Sequence, residues 1–255
     1  MKPLVVGETV LDDGSFNVCV TLTPGSLEEL EKDLDTLETE SYDLIEWRAD
    51  YLETSDELNS LVLRGIALIK EMISNKPLLF TFRRHLEGGR NHIRDKELYD
   101  LRKAVIMSEQ VDILDVELHF FSHGQSAENL SDYQDLIKMA KSRNIFCLIS
   151  WHSFKHTPEE DVMLNILSTQ MRLGADICKL TTMANSISDM ESVMSVSRKA
   201  SRLLDVPHIA LAMGDLGKVS RYSKNNAMSC ITYAPLNQLT APGQMSLKEL
   251  NNKLK

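Results

Sequence analysis

Lys179 is the residue of this sequence with the most chemistry to offer. It stands near the end of Gly174-Ala175-Asp176-Ile177-Cys178-Lys179-Leu180, a run that reads as a short strand, apolar apart from Asp176 and Lys179. A side-chain period of two puts Ala175, Ile177 and Lys179 on one face, so the lysine stem rises from an apolar floor. If that floor lines a closed interior, desolvation disfavours the ammonium and leaves more neutral amine at neutral pH. A neutral amine attacks a ketone to form a Schiff base. Taken alone, the same residue also fits a lysine that ends an ordinary strand and reaches back to water.

The strands before it decide between these readings. Successive apolar runs finish on charged or polar residues: Glu46-Trp47-Arg48, Thr81-Phe82-Arg83, Asp115-Val116-Glu117 and Ser150-Trp151-His152, ahead of Lys179. Within them Glu46 and Arg48 share a face, as do Thr81 and Arg83, and Leu148, Ser150 and His152. One such pair is a surface salt bridge; the repetition reads as a single polar pocket. Lysine supplies an amine that captures an electrophile, and histidine an acid/base near neutrality. Arginine forks suit a carboxylate. The pattern points to an anionic carbonyl substrate. In Gly214-Asp215-Leu216-Gly217 the aspartate argues against a phosphate and for a carboxylate.

The elements that must position these groups follow a regular rhythm. Met1 to Phe16 contains Asp13-Gly14, a tight-turn dipeptide, and is expected to form a short N-terminal hairpin or extension. Strands are expected at Asn17–Leu22, Asp43–Arg48, Pro77–Arg83, Val111–Leu118, Ile145–Trp151, Gly174–Leu180, Pro207–Met213 and Cys230–Tyr233. A helix follows each: from Leu27 behind a Ser26/Glu29 capping box, Asp56–Ser74, Asp95–Glu109, Leu130–Lys141, one near Pro158 with that proline in its first turn, Ile187–Leu204, a shorter one from Lys218, and a last one near Ser246. Eight such units over 255 residues fit a single (β/α)8 TIM barrel, whose chemistry sits at the C-terminal strand ends. No linker divides the chain.

Hydrophobic residues make up 43% and charged residues 25%, a globular composition. The net charge of −9 offers no basic stripe for nucleic acid. No apolar run approaches the roughly 20 residues of a membrane span, so no membrane partner is expected. Glu8, Asp12 and Asp13 make the N-terminus unlike a secretory signal, and a cytoplasmic protein is expected. Cys19, Cys147, Cys178 and Cys230 are scattered through apolar runs, read as reduced core residues, and form no zinc pattern. Trp47, between Glu46 and Arg48, is expected on the outer face, packed against a helix.

The sequence resembles the type I 3-dehydroquinate dehydratases. The resemblance runs from about Asn17 to the C-terminus and rests on Leu44-Ile45-Glu46-Trp47-Arg48, Lys76–Arg83, Glu87-Gly88-Gly89, Val111-Asp112, Glu117-Leu118, His152-Ser153-Phe154, Thr157-Pro158, Gly174–Ile177 before Lys179, Val219-Ser220-Arg221 and Ala241-Pro242-Gly243-Gln244. It implies that Lys179 forms the Schiff base, that His152 is the general acid/base, and that Glu87 orients it. It implies that Arg221 and Gln244 hold the substrate carboxylate, and that Glu46, Arg48 and Arg83 contact its hydroxyls. Thr240 and Thr21 stand where the family has serines at the substrate site. The implied reaction is the dehydration of 3-dehydroquinate to 3-dehydroshikimate in the shikimate pathway of aromatic amino acid biosynthesis. It needs no metal or organic cofactor, and the family suggests a homodimer. The chain departs from the family at Arg84-His85-Leu86 and at Trp151 and Ser153, which flank His152; Trp151 is expected to alter packing beside the histidine. A class I aldolase-like barrel also explains Lys179 but not a His152–Glu87 pair. A silent binding barrel would have lost one of the three groups.

Overall fold

The computed structural model describes residues 2–53, 57–118, 127–224 and 226–255. It opens with an antiparallel hairpin, β1 (Leu4–Val6) and β2 (Thr9–Leu11). An eight-stranded parallel sheet follows, of β3 (Asn17–Leu22), β4 (Leu44–Arg48), β5 (Leu78–Thr81), β6 (Ile113–Glu117), β7 (Phe146–Ser153), β8 (Ile177–Met183), β9 (His208–Met213) and β10 (Ile231–Pro235), in the order β10-β3-β4-β5-β6-β7-β8-β9. Between strands lie α1 (Leu27–Leu37), α2 (Leu58–Met72), α3 (Asp95–Ser108), α4 (Ala127–Lys141), α5 (Glu160–Arg172) and α6 (Ile187–Leu203), with α7 (Leu247–Leu254) last. This is a nearly closed (β/α)8 TIM barrel with a separate small sheet. Among the described residues no helix is long and apolar enough to cross a membrane.

The inner face of the barrel is a direct product of the two-residue period. Leu44, Leu79, Ile113, Leu148, Ile177, Ile209 and Ile231 form one apolar layer with Cys19. The hairpin residues Val6 and Leu11 belong to the same cluster, so the hairpin seals the barrel's N-terminal end. Two residues onward the inward positions become Thr21, Glu46, Thr81, Asp115, Ser150, Lys179, Leu211 and Tyr233; two further on stand Arg48, Arg83, Glu117, His152, Thr181 and Met213. The positions between these instead feed the larger core between sheet and helices, where Ile45, Trp47, Phe80, Val116, Ile149 and Leu180 pack.

Several boundaries differ from expectation for local reasons. The hairpin turns at Gly7-Glu8, with Gly7 at φ 57°; Asp13-Gly14 belongs to a second turn in which Ser15 N–H donates to Asp12 O at 3.1 Å. Pro158 lies outside α5, which begins at Glu160 after Glu159 at its cap. Ser26 caps α1 by accepting from Glu29 N–H, but the Glu29 carboxylate reaches Gly25 N–H, at 2.7 Å, rather than closing the box on Ser26.

The seventh connecting helix is replaced by a 3-10 turn over Asp215–Arg221. Gly217 presses so close to the Ala212 backbone that a Cβ there would lie 2.6 Å from the Ala212 carbonyl carbon. Ser220 Oγ accepts Ala212 N–H at 2.9 Å. The chain therefore folds straight back over the end of β9 and delivers Arg221 to the barrel mouth. Between β9 and β10 the barrel is stitched rather than laddered: Cys230 N–H donates to His208 O at 2.9 Å, and Ser229 Oγ accepts Ala210 N–H at 3.0 Å.

Trp47 is fully buried and packs edge-on to Phe80, with ring centroids 6.0 Å apart. Its indole fills the space above Gly65 of α2, where a Cβ would lie 2.3 Å from Trp47 Cη2. Gly65→Ala improves helix propensity by about 1 kcal/mol. Overpacking in a dense core costs about 1–3 kcal/mol, so the variant is expected to be destabilised. Urea unfolding checks this; a midpoint at or above the parent's would refute the contact's importance.

Candidate active site

Lys179, in the second inner layer, is only 5% exposed. Its Nζ lies 3.9 Å from Glu46 Oε1 and 3.9 Å from the centroid of the Tyr233 ring. Burial pushes its pKa down; Glu46 and Asp115 oppose this, and Arg83 adds to the depression. Glu46 is held on both sides, because Thr21 Oγ1 donates to Oε2 at 2.9 Å and Thr81 Oγ1 to Oε1 at 3.1 Å.

His152 stands one layer above. Its Nδ1 contacts Glu87 Oε2 at 2.8 Å, which leaves Nε2 as the ring nitrogen available to the cleft. Desolvation first, then the cations Arg83, Lys179 and Arg48, hold its pKa well below the usual value, so the imidazole is neutral at pH 7. Burial and the nearby Glu117 push the Glu87 carboxyl well up, against Arg83. Glu87 is brought to the histidine by a 3-10 turn, His85–Glu87, anchored by Gly89 N–H to Arg84 O at 2.8 Å and Arg84 N–H to Glu117 Oε1 at 2.7 Å. Gly88, at φ 83°, leaves room for the Phe154 ring, which stacks along His152 at 6.2 Å.

The three arginines of the cleft differ in their company. Arg48 is clamped bidentately by Asp50, at 2.7 and 2.8 Å, and Asp50 also accepts the backbone N–H of Arg83 and of Arg90. Arg83 donates to Asp115 at 2.6 Å and Ser150 at 2.8 Å, and lies 3.3 Å from Glu117, which raises its pKa. Arg221 is 2% exposed, yet its Nε and Nη2 have no hydrogen-bond partner and it forms no salt bridge among the described residues. Burial alone lowers its pKa to about 10. Among the described residues it is a desolvated cation with no carboxylate beside it to form a salt bridge. The cleft is lined by Lys179, Glu46, Arg48, Arg83, Glu87, His152, Arg221, Thr240 and Gln244, together with Gly88, Phe154, Thr181, Leu211, Met213, Tyr233 and Ala241.

The family model for type I 3-dehydroquinase matches residues 18–255. The chain belongs to the type I 3-dehydroquinase family. Among its relatives, the 3-dehydroquinate dehydratase of Neisseria gonorrhoeae is 34% identical over 98% of this chain and 95% of its own. That of Alkaliphilus oremlandii is 30% identical over 99% and 96%. A crystal structure of the Clostridium difficile type I 3-dehydroquinate dehydratase with covalently modified comenic acid superposes with a TM-score of 0.90 at 27% identity, covering 99% of this chain and 96% of that one. A deoxyribose phosphate aldolase from Aeropyrum pernix, at 13% identity and a TM-score of 0.56, shares the fold alone.

As a type I 3-dehydroquinase, the chain brings nine of the ten expected site residues to one cleft. Thr21 is the exception: fully buried, it acts on Glu46 from below rather than facing the cavity. Gln244 Oε1 accepts from Thr240 N–H, Thr240 Oγ1 and Ala241 N–H, which leaves its amide Nε2 for the cleft. Gly243, at φ 77°, lets this loop touch the Gly214 backbone, and Gly214 N–H donates to Pro242 O at 3.1 Å. Asp215 does not face the cleft. It is 91% exposed and pairs with Lys218, so its bearing on phosphate against carboxylate falls away. Trp151 points to the outer core, on the opposite face from His152, so it does not pack beside the imidazole.

Asp50, Thr181, Phe154, Met213 and Tyr233 were not singled out from sequence as site residues; applying the two-residue period to β8, β9 and β10 finds Thr181, Met213 and Tyr233. Four cysteines, Cys19, Cys147, Cys178 and Cys230, are free and buried. His208 is buried beside Ser197, at 3.1 Å, and burial takes its pKa down to about 4. His85 and His92 stack on each other at 3.9 Å, and His119 and His123 lie outside the described residues. No cluster of metal-binding side chains occurs among the described residues.

Arg83 pairs with Asp115 and Glu117, and all three side chains are buried. Arg83→Met is therefore expected to cost about 3–5 kcal/mol in stability, the penalty for leaving Asp115 without its salt-bridge partner, since Glu117 keeps Arg102. Urea unfolding measures it; a loss below about 1 kcal/mol would show that the cluster reorganises.

Proposed function

We propose that this protein dehydrates 3-dehydroquinate to 3-dehydroshikimate through a Schiff base at Lys179, as a step of the shikimate pathway to aromatic amino acids. The observation that carries the proposal is a buried amine and a buried Arg221 that forms no salt bridge among the described residues, in one cleft with the His152–Glu87 pair. A substrate with a ketone and a carboxylate answers both needs. Its carboxylate lies against Arg221, with the Gln244 amide as a second donor. Glu46, Arg48 and Thr240 face its hydroxyls, and Arg83 supports the site by holding Asp115 and Glu117. The neutral fraction of Lys179 attacks the ketone, water leaves, and the resulting iminium acidifies the adjacent carbon. His152 Nε2 removes that proton. The enamine expels the hydroxyl, which leaves as water with the proton from His152, and a further water hydrolyses the product imine. The net loss is one water. That the Clostridium difficile relative carries covalently modified comenic acid accords with a covalent mechanism. The protein is assigned to the cytoplasm as a homodimer without cofactor, nucleic-acid or membrane partner, and sedimentation checks the dimer.

Borohydride reduction with 3-dehydroquinate, followed by peptide mass spectrometry, is expected to place the adduct on Lys179 and to find none in Lys179→Ala. His152→Ala still traps adduct while turnover falls by about 10²–10⁴-fold. An adduct on another lysine with Lys179 unmodified would overturn the mechanism.

Arg221 gives a second test with two opposite signs. Burying it without an anion costs the free protein stability. Arg221→Met is therefore expected to unfold at an equal or higher urea concentration than the parent. The same variant should lose about ten- to a hundredfold in kcat/KM, the worth of a charged hydrogen bond. A destabilised variant with intact kcat/KM would refute the assignment.

A further inference from the structure

In the cleft, Nε and Nη2 of Arg221 and the Tyr233 hydroxyl are buried without a hydrogen-bond partner among the described residues. The carboxylate accounts for the arginine nitrogens. Tyr233 occupies the second inner layer on β10, is 4% exposed, and lies with its ring centroid 3.9 Å from Lys179 Nζ. That is the contact distance of a cation held against an aromatic face.

We propose that Tyr233 acts directly on the reacting nitrogen through the face of its ring, holding Lys179 Nζ in place and favouring its positively charged forms. The inference rests on the Schiff-base reading and deepens it. The Lys179 nitrogen changes charge during the reaction. It must be neutral to attack and is cationic as ammonium before and as iminium after. The π face attracts only the cation, and attracts it more strongly where water is absent. The charged and titratable groups around this nitrogen pull against one another, the acids favouring its cation and Arg83 opposing it. They are Glu46 on β4, Asp115 on β6, Arg83 beyond β5, Cys19 on β3 and His152 on β7. Arg221 lines the same cleft, and β9 contributes only the apolar Leu211 and Met213. Beside Glu46, whose carboxylate is already occupied by Thr21 and Thr81, and Asp115, which is held by Arg83 and Ser150, the ring supplies attraction without a further buried anion.

The direction of the effect follows. The ring offsets part of the burial that depresses the Lys179 pKa. Without it the ammonium loses its proton more readily, so more amine is neutral at low pH, but the iminium it forms is less stable. Tyr233→Leu and Tyr233→Met, which keep apolar volume and lose the π face, test both halves. In each, the acidic limb of kcat/KM against pH is expected to move down by about one unit. The fraction of enzyme trapped by borohydride at saturating 3-dehydroquinate is expected to fall by up to about tenfold. Tyr233→Phe restores the ring without the hydroxyl and is expected to bring both readouts back towards the parent. Two folded aliphatic variants with an unmoved acidic limb and an undiminished trapped fraction would overturn the inference. So would a Tyr233→Phe enzyme that behaves like Tyr233→Leu, because the hydroxyl would then be the active part. Failure of the parent enzyme to trap at Lys179 would instead overturn the Schiff-base reading on which the inference stands.

Discussion

Charge taken out of water governs this structure. A barrel of eight strands offers its inward positions no solvent, so each inner layer must be apolar or must carry its own compensation. The lowest layer takes the first course, with Leu44, Leu79, Ile113, Leu148, Ile177, Ile209 and Ile231 closed off by the hairpin. The upper layers take the second. Asp50 answers Arg48, Asp115 and Glu117 answer Arg83, and two threonine hydroxyls brace Glu46. With everything else neutralised, the few groups left incomplete define what the cleft is for.

Those incomplete groups are arranged by backbone features rather than by the strands alone. Arg221 reaches the mouth only because Gly217 and Ser220 fold the chain tightly onto Ala212. Glu87 reaches His152 because a 3-10 turn is anchored to Glu117, itself part of the Arg83 cluster. Orientation of the acid/base is therefore tied to the electrostatics beneath it. The loop carrying Gln244 is bonded to the loop preceding Arg221 through Gly214 and Pro242, so the two carboxylate-facing groups share one support.

Much of this was legible in the sequence. The alternation of apolar and polar residues at strand ends placed Glu46, Arg48, Arg83, His152 and Lys179 on inward faces, because a strand's period is fixed by backbone geometry. Cap and turn signals located most helices within a few residues. What the sequence did not reveal depends on closure in three dimensions. Thr21 looks like a ligand-facing residue until Glu46 is seen to cover it. Tyr233 reads as one more core aromatic until β10 meets β3 and turns its ring towards Lys179. Asp215 reads as a pocket acid until the 3-10 turn sends it to solvent beside Lys218. The hairpin turn was misplaced because Asp13-Gly14 carries the stronger local signal, whereas Gly7 turns the chain where the plug's packing requires it.

The stitched seam between β9 and β10 has its own consequence. A strand without a laddered neighbour presents a row of backbone N–H groups that invites a foreign strand. Here Ser229 takes the N–H of Ala210 and Ser220 that of Ala212, so hydroxyls stand in for the missing carbonyls. The edge is thus masked against intermolecular pairing without being welded shut. Hydroxyl bonds exchange for water more readily than a ladder does, which makes this line the natural place for the cylinder to breathe, and slow amide exchange would be expected everywhere around its circumference before it is expected here.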